Sequence, residues 1–210
     1  DPANPSNVWA CLRTIEAFGI QHVDVIIETG KFQGKAALSQ KRGMRTAMGS
    51  AQWLTLANFP STSAALETLR ANNNNNLRIL ASDLQDATDI RQIDWDGDDR
   101  NICIVMGNEE SGISHQLRQA ADERFALPMV GFAESFNLSV ATAITLAHMS
   151  AASVVQDGVT YGPIRPGDLS QAERNCLFLK GLLNSVPQKR MATALLRKHG
   201  IELPDAIQML

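Results

Sequence analysis

The sequence predicts an α/β fold, in which short buried strands of a parallel sheet alternate with helices. Five short apolar runs, each bounded by polar or turn-forming residues, predict the strands; they cover residues 22–28, 53–57, 77–82, 102–106 and 125–129. Continuous apolar runs of this length are typical of parallel strands that are buried on both faces. Segments with helical spacing separate several of these runs, as the connections of a parallel sheet require.

Length and composition indicate one domain, or one domain with an appendage, around a single core. The chain has 210 residues, of which 44% are hydrophobic and 20% charged. These values exclude a disordered tail, a collagen-like rod and a disulfide-stabilised miniprotein. The formal net charge of -3 also excludes a globally basic protein that coats nucleic acid. Any polyanionic partner must therefore bind to a local basic patch.

The first predicted helix begins with a cap at Asn7 and ends at Gly19, with apolar residues at helical spacing between them. The strand at 22–28 is followed by an acid-free segment, residues 29–45, that predicts a basic loop. Its basic residues are Lys31, Lys35, Lys41, Arg42 and Arg45. A solvated surface is the simpler interpretation of such a run, and a site for a polyanion is the functional one.

The middle of the chain predicts two further helices and a linker. A Ser or Thr cap begins a helix at 61–69, and the asparagines at 72–76 form a loop after it. An alanine-rich helix covers 138–155 and is apolar on most sides, which favours burial against a sheet or a second subunit. Turn-forming residues then predict a linker at 157–168. We therefore expect a first domain at 1–156, followed by the linker and a helical extension at 157–210.

The extension is predicted to contain two helices. The first covers 170–183 and begins with a capping box, Ser170 and Glu173. The second covers 188–199 and contains no acid; its basic residues are Lys189, Arg190, Arg197 and Lys198. A solvated face and a polyanion-binding face are both consistent with this pattern.

Cysteine and histidine positions argue against disulfides and metal sites. Cys11, Cys103 and Cys176 are odd in number, far apart and embedded in apolar runs, so we expect reduced core residues. The histidines lack the spacing of metal ligands, and we expect no metal. No apolar run approaches the roughly 20 residues of a membrane helix. We expect no membrane partner and a cytoplasmic location, or an organellar one if a targeting segment has been removed.

A glycine-containing segment, G-N-E-E-S-G-I-S at 107–114, directly follows the predicted strand at 102–106. Because α/β sheets bind ligands at the carboxyl ends of their strands, this placement favours a binding loop. An ordinary strand-to-helix turn is the alternative. The chain contains neither G-x-G-x-x-G nor G-x-x-x-x-G-K-[ST], so the dinucleotide and phosphate-loop interpretations lack support.

A second candidate loop lies at 127–143, L-P-M-V-G-F-A-E-S-F-N-L-S-V-A-T-A. It places small and polar side chains beside Phe132 and Phe136, which is typical of a loop whose backbone groups hold a flat ligand. A helix cap at Ser135 or Asn137 explains the same residues equally well. Arg13, on the rim of an apolar helical stripe, is by pattern alone more typical of a surface arginine than of a catalytic one.

Three segments together resemble the motifs of the SpoU family, in order and at the family spacing. They are N-P-S-N-V-W-A-C-L-R-T-I-E-A-F-G-I, I-V-M-G-N-E-E-S-G-I-S and L-P-M-V-G-F-A-E-S-F-N-L-S-V-A-T-A. This family belongs to the SPOUT superfamily of S-adenosyl-L-methionine-dependent RNA methyltransferases and methylates the ribose 2′-oxygen. The segments M-R-T-A-M-G-S-A, 77–95 and L-S-Q-A-E-R-N-C-L-F-L-K-G are similar to its TrmH branch, which methylates a D-loop guanosine of tRNA. Family members have a strand before the first motif, so we expect this sequence to be a trimmed piece.

The resemblance implies a knotted α/β domain, a deep C-terminal trefoil knot that holds the cofactor, and a homodimer with an active site shared between subunits. By motif position, the cofactor pocket for S-adenosyl-L-methionine, with S-adenosyl-L-homocysteine as the product, consists of Ser82, Gly107, Leu127 and Phe136. Phe136 departs from the family, which usually has Leu there.

The catalytic residues implied by the resemblance are Arg13, Asn7, Glu109, Ser135 and Asn137. Because a guanidinium group stays protonated in proteins, Arg13 is expected to position the target and to stabilise the developing alkoxide rather than to accept the proton. Asn7 is expected to orient Arg13 or the ribose, and Glu109 to pair with Arg13 across the dimer. The basic residues at 31–45, together with Lys189 and Arg190, are expected to bind RNA.

Three other functions are compatible with parts of this pattern. A ribosomal RNA methyltransferase of the same family would share all three motifs. A non-catalytic RNA-binding dimer would not need Asn7, Arg13, Glu109 and Asn137, which are all present. A nucleotide-dependent oxidoreductase fits the α/β pattern but requires the glycine fingerprint that the chain lacks.

Overall fold

The computed structural model describes residues 2, 5–28, 49–95, 99–108, 110–156, 159–164, 169–185 and 189–200. The chain divides into two compact units, Asp1–Pro166 and Gly167–Leu210. The first contains the sheets and four described helices, and the second contains two described helices.

Helix α1, Pro5–Ala17, opens the first unit. It begins before Asn7, which lies inside the first turn; the prediction of a cap at Asn7 is therefore wrong. Proline is favourable at the first helical positions because its φ is already helical and its missing N–H has no intrahelical partner there. Gly19 ends the helix as predicted, with φ 76° and its N–H bonded to the Glu16 carbonyl at 2.9 Å.

A small parallel sheet follows α1. It consists of β1, His22–Ile26, and β2, Thr55–Phe59, with His22 opposite Thr55. β2 begins two residues later than predicted, because Trp53 ends a short 3-10 helix at Ser50–Gln52. Leu54, directly before β2, is buried with three residues of α1 in one cluster; these are Val8, Trp9 and Leu12.

The next helix, α2, covers Thr62–Asn72 and is capped as predicted. The Ser61 hydroxyl accepts a hydrogen bond from the Ala64 N–H at 3.2 Å. The asparagine loop after α2 is also confirmed. Asn74 and Asn75 have positive φ values of 51° and 59°, which asparagine tolerates better than most residues.

A four-stranded sheet forms the centre of the first unit. Its strands are β3, Leu77–Ser82; β4, Thr88–Asp89; β5, Asn101–Val105; and β6, Glu123–Ala126. Their order is β4-β6-β3-β5, and every pair is parallel, as the sequence predicts. β5 and β6 begin one and two residues earlier than predicted. Leu80 and Phe125 are fully buried, so the core lies against these central strands.

Two further helices complete the first unit. Helix α3, His115–Ala120, connects β5 to β6. Helix α4, Leu138–Ala152, packs on the core through Leu146 and Met149. α4 ends earlier than predicted because residues 154–156 form a strand.

That strand is β7, Val154–Gln156, which pairs in antiparallel orientation with β8, Val159–Tyr161. The predicted linker at 157–168 therefore contains a strand, which is a correction. Gly162 follows with φ 108°, and a β-carbon there would lie 2.7 Å from the Cα of Ser153. Such close backbone contact explains a glycine directly after β8.

The second unit consists of α5, Gln171–Ser185, and α6, Lys189–Lys198, close to the predicted helices. The capping box is present: the Ser170 N–H bonds Glu173 Oε2 at 2.9 Å, and the Glu173 N–H bonds Ser170 Oγ at 3.2 Å. Leu183 is buried with Leu179 and Leu196.

The three cysteines are free, and Cys11 is buried. Over the described ranges, no helix has the length and apolarity that a membrane span requires. The same ranges contain no cluster of three His, Cys, Asp or Glu side chains arranged for a metal ion.

Candidate functional site

The candidate site lies at the carboxyl edge of the four-stranded sheet. β3, β5 and β6 are parallel, and Ser82 lies opposite Phe125 while Ala81 lies opposite Val105. Three loops therefore leave the sheet at the same edge, at 83–87, 106–114 and 127–137. The predicted cofactor residues Ser82, Gly107 and Leu127 are located where these loops begin.

The loop after β5 is a closed turn. The Asn108 N–H bonds the Gly112 carbonyl at 3.0 Å, and the Gly112 N–H bonds the Asn108 carbonyl at 3.1 Å. Asn108 Oδ1 accepts hydrogen bonds from the N–H groups of Glu110 and Ser111, at 3.0 and 2.6 Å. One asparagine side chain thus shapes the whole turn.

Gly107 allows this turn to fold back on itself. A β-carbon at Gly107 would lie 2.6 Å from the carbonyl carbon of Gly112 and 2.9 Å from the Ile113 nitrogen. Both are backbone atoms, which no rotamer change can move away. The loop continues to Ser114, whose hydroxyl caps α3 by accepting from the Leu117 N–H at 3.2 Å. The residues at 107–114 therefore do form a strand-to-helix turn, as the alternative interpretation predicts. The same residues make up the candidate binding loop.

An ion pair that the sequence did not reveal joins Asp83, in the loop at 83–87, to Arg118 on α3. Arg118 Nε on α3 lies 2.5 Å from Asp83 Oδ2. Burial would raise the pKa of Asp83, but hydrogen bonds from Arg118 and from the N–H groups of Gln85 and Leu84 outweigh it, so the pKa is lowered. Asp83 therefore remains a carboxylate at neutral pH.

The loop at 127–137 combines a buried start with an exposed middle. Leu127 belongs to the core cluster, whereas Val130 and Phe132 are completely exposed and Phe136 is 37% exposed. Ser135 and Asn137 are exposed as well. Asn137 is the cap of α4, since its Oδ1 accepts from the Ser139 N–H at 2.9 Å and from the Ser139 hydroxyl at 2.7 Å. The cap interpretation is thus correct for Asn137 and not for Ser135.

The first and third motifs meet where α1 and α4 pack together. Asn137 Nδ2 donates to Asn7 Oδ1 at 3.5 Å. Four residues along α1, Cys11 Sγ lies 3.5 Å from the hydroxyl of Thr142 on α4. Two predicted catalytic residues, Asn7 and Asn137, are therefore in direct contact.

Arg13 is located apart from this pair. Its side chain is exposed and forms no hydrogen bond or ion pair with any residue that the structure describes. It follows Asn7 by six residues, which on a helix corresponds to about 9 Å along the axis and about 120° around it. A single subunit therefore does not bring Arg13 into contact with Asn7.

Several predicted site residues belong to segments outside the described ranges. Glu109 and the basic residues Lys31, Lys35, Lys41, Arg42 and Arg45 lie outside the described residues. Lys189 and Arg190 begin α6 in the second unit, but their side chains also lie outside the described part.

A second cluster that the sequence did not reveal joins the end of β1 to the loop after β5. Glu28 Oε1 accepts from the Thr62 N–H at 2.5 Å and from the Thr62 hydroxyl at 2.7 Å. These bonds lower the pKa of Glu28. The Thr62 hydroxyl also lies 3.4 Å from Ser114 Oγ. In the sequence, only the position of Glu28, directly before the acid-free segment at 29–45, could have pointed to this cluster.

Comparisons with known proteins agree with this architecture. The sequence model of the SpoU rRNA Methylase family matches residues 1–147. A tRNA (guanosine(18)-2′-O)-methyltransferase of Escherichia coli K12 is 32% identical over 143 residues, which are 68% of this chain and 56% of the relative. An enzyme of the same name from Thermus thermophilus is 29% identical over 143 residues, which are 68% of this chain and 66% of the relative. The chain thus spans little more than half the length of the first of these relatives.

Solved structures show the same fold. An AdoMet-bound rRNA methyltransferase from Sinorhizobium meliloti has a TM-score of 0.59 and 27% identity, with 69% of this chain and 51% of that chain covered. The A. aeolicus TrmH/SpoU tRNA modifying enzyme has a TM-score of 0.67 and 23% identity, with 89% and 86% covered.

A parallel α/β sheet with the second and third motifs in its carboxyl-edge loops, and with the first motif on a helix that contacts the third, defines the SpoU-type class of methylase folds. The chain belongs to the SpoU rRNA Methylase family, and the resemblance expected from its motifs is confirmed.

Proposed function

We propose that this protein transfers a methyl group from S-adenosyl-L-methionine to a ribose 2′-hydroxyl of RNA, and that the target is a D-loop guanosine of tRNA. The observation that carries the proposal is the contact between the first and third motifs, in which Asn137 Nδ2 donates to Asn7 Oδ1. The name shared by the Escherichia coli and Thermus relatives supports a tRNA guanosine as the target.

The carboxyl edge of the sheet fits the proposed cofactor. Ser82, Gly107, Leu127 and Phe136 would hold S-adenosyl-L-methionine, whose sulfonium supplies an electrophilic methyl group. Because Gly107 has no side chain, the turn after it can close tightly at the sheet edge, which leaves the place beside the loops at 83–87 and 127–137 free of a side chain from residue 107. We expect S-adenosyl-L-homocysteine, the product, to bind at the same place.

We also propose that the domain is knotted. β6 lies between β3 and β4, and Phe125 lies opposite both Ser82 and Thr88. The five-residue loop at 83–87 must therefore pass from one side of β6 to the other. The chain leaves β6 directly beside that loop, which is the arrangement that threading through it would produce.

The proposed chemistry needs a positioned hydroxyl and stabilisation of the alkoxide that forms as its proton leaves. Arg13 would bind the target phosphate and stabilise the developing negative charge. A guanidinium group remains protonated, so a phosphate oxygen of the RNA is the proposed proton acceptor. Asn7, Ser135 and Asn137 would orient the ribose, and Glu109 would pair with Arg13 of the other subunit.

A homodimer would complete this site. Arg13 is exposed and remote from Asn7 in one subunit. α4 exposes a stripe of small apolar side chains, Val140, Ala147 and Ala151, on one face. A second subunit packed on that face would bury the stripe and bring another copy of Arg13 to the carboxyl edge.

Two separate basic segments are proposed to bind RNA: the basic residues at 31–45, in the first unit, and Lys189 and Arg190, in the second. Binding through these residues releases counterions, so the affinity for RNA should fall steeply between low and physiological salt. Filter binding of tRNA over that range measures the slope. A flat response would reject these residues as the RNA surface.

The decisive test uses Arg13→Ala. We expect no detectable transfer of tritiated methyl to tRNA, while calorimetry shows binding of S-adenosyl-L-homocysteine within a few-fold of the original protein. Arg70→Ala, which removes another exposed helical arginine on α2, is the matched control and should keep full transfer. Near-normal turnover by Arg13→Ala would overturn the assignment.

The substrate test compares total tRNA with total ribosomal RNA and maps the modified nucleotide. Modification of a D-loop guanosine is the expected result. Labelling of ribosomal RNA alone would favour the alternative that the family description and the Sinorhizobium relative suggest. Binding of RNA without transfer to either would favour the non-catalytic dimer.

A further inference from the structure

We propose that Asp83 and Arg118 form a positioning pair for the methyl donor, because together they fix the loop that crosses the carboxyl end of β6. This inference rests on the proposed function, since it assumes that the cofactor binds at the carboxyl edge. The pair is separate from the proposed catalytic residues and does not touch the reacting atoms.

The ion pair itself is well formed and largely enclosed. Arg118 Nε donates to Asp83 Oδ2 at 2.5 Å, and Arg118 Nη2 donates to Asp83 Oδ1 at 3.4 Å. The Asp83 side chain is 10% exposed and that of Arg118 is 29% exposed. Two-point contact between a guanidinium and a shielded carboxylate is stronger and more directional than an ordinary surface ion pair.

Asp83 also shapes its own loop. Its Oδ1 accepts from the Leu84 N–H at 2.8 Å and from the Gln85 N–H at 3.3 Å, which forms the turn that begins the loop. Its backbone N–H donates to the Phe125 carbonyl at 3.0 Å. The same residue therefore holds a turn, α3 and β6 in one arrangement.

These contacts join all three segments of the proposed cofactor pocket. Ser82 directly precedes Asp83, Leu127 follows Phe125 by two residues, and Arg118 lies on the helix that continues the loop of Gly107. Loss of the ion pair would free the turn at 83–87 to move relative to the other two loops. Little else restrains that loop among the described residues: Asp86 is 3.8 Å from Arg124 and is mostly exposed.

A second ion pair at the opposite edge of the same sheet is a matched control. Arg100 Nη1 lies 2.7 Å from Asp122 Oδ1, directly before β5 and β6 begin. Asp122 Oδ2 also accepts from the Ile79 N–H at 2.8 Å. This pair has the same chemistry and a similar structural role, but it lies at the amino edge, away from the proposed pocket.

The experiment measures binding of S-adenosyl-L-homocysteine by calorimetry, together with the free energy of unfolding, for Asp83→Asn, Arg118→Gln, Arg118→Lys and Arg100→Gln. We expect Asp83→Asn and Arg118→Gln each to raise Kd roughly tenfold, the scale set by loss of one charge-assisted hydrogen bond. Arg118→Lys keeps the charge and should recover part of the affinity. Arg100→Gln should lower stability and leave Kd within about twofold.

Kinetics separate a positioning role from a general loss of structure. The variants of the pair should raise KM for S-adenosyl-L-methionine and leave KM for tRNA unchanged. The double variant Asp83→Asn/Arg118→Gln should bind no more weakly than either single variant, because the two residues act as one unit.

Two results would overturn the inference. If the pair variants change Kd no more than Arg100→Gln does, the pair only stabilises the fold. If the original protein itself does not bind S-adenosyl-L-homocysteine, the proposed function fails and this inference fails with it. The first result leaves the proposed function intact, so the two failures are distinguishable.

Discussion

Asn137 Nδ2 donates a hydrogen bond to Asn7 Oδ1 at 3.5 Å and joins two residues that are 130 positions apart in the chain. The oxygen of the same Asn137 amide caps α4 by accepting from the Ser139 N–H. One side chain therefore begins a helix with its oxygen and holds the first motif with its nitrogen. Structural and functional roles overlap at this residue, but two substitutions can separate them.

Asn137→Asp should retain the fold and lose methyl transfer. A carboxylate caps a helix as well as an amide does, so the free energy of unfolding should stay within about 0.5 kcal/mol of the original. It has no N–H to donate to Asn7, and it places an acceptor against the Asn7 oxygen. Asn137→Ala should remove both the helix cap and the hydrogen bond to Asn7, with a loss of about 1 kcal/mol in the free energy of unfolding. Urea unfolding and the tritiated-methyl assay measure the two effects, and full transfer by Asn137→Asp would remove the Asn7–Asn137 contact from the site.

Gly107→Ala should disrupt the turn after β5. The added carbon would lie 2.6 Å from a backbone atom of Gly112, so the turn must open to accommodate it. We expect a stability loss of about 1–3 kcal/mol, as for other overpacked sites, and much weaker binding of S-adenosyl-L-homocysteine. Gly131→Ala is the control, because a β-carbon there meets open space and its unfolding curve should not shift. Normal binding by a folded Gly107→Ala protein would contradict the turn geometry.

The order of the main strands and helices was largely predictable, because each short apolar run is bounded by strong turn-forming residues. β3 lies at the predicted residues 77–82, since asparagines directly precede it and the polar turn of Asp83 follows. β2 differs from its predicted bounds by two residues at each end, and β6 by two at its start and three at its end, because strand ends depend on where a partner strand stops pairing. β8 was missed because three paired residues between glycines and prolines give no periodic signal.

The site was predictable only through its motifs. Glycines and small polar residues after predicted strands indicated the loops at 107–114 and 127–143, and the family resemblance assigned roles to Asn7 and Asn137. The pair of Asp83 and Arg118 was not predictable, because 35 residues and two different elements separate its members. Only the order of the strands brings α3 to the end of β3.

Thr62→Val should reduce the stabilisation that Glu28 provides above its ordinary pKa of 4.5. Hydrogen bonds from Thr62 lower the pKa of Glu28 in the folded protein. The resulting stability is therefore present above pH 4.5 and is lost as pH falls through the folded value. Valine removes the hydroxyl donor and keeps the shape, so the loss near pH 7 should be about 0.5 kcal/mol, the low end for a hydrogen bond to an exposed group.

Unfolding in urea from pH 3 to pH 7 measures this effect. Thr145→Val is the matched control, because Thr145 is fully buried and its hydroxyl donates to the Ala141 carbonyl rather than to a carboxylate. It should shift stability equally at every pH. A parallel shift for Thr62→Val as well would show that Glu28 does not depend on this bond.

Cys103 and Cys11 should resist thiol reagents in the native protein, whereas Cys176 should react first. Burial raises the pKa of Cys103 to about 11, and the nearby carboxylate of Asp24 adds to the effect. At pH 8 roughly one thiol in a thousand is then ionised, and the thiolate is the reactive form. Cys11 is buried against Thr142.

Labelling with iodoacetamide followed by peptide mass spectrometry gives the order of reaction. Cys176→Ala should abolish the fast phase, and rapid native labelling of Cys103 would show that β5 is more accessible than its packing indicates.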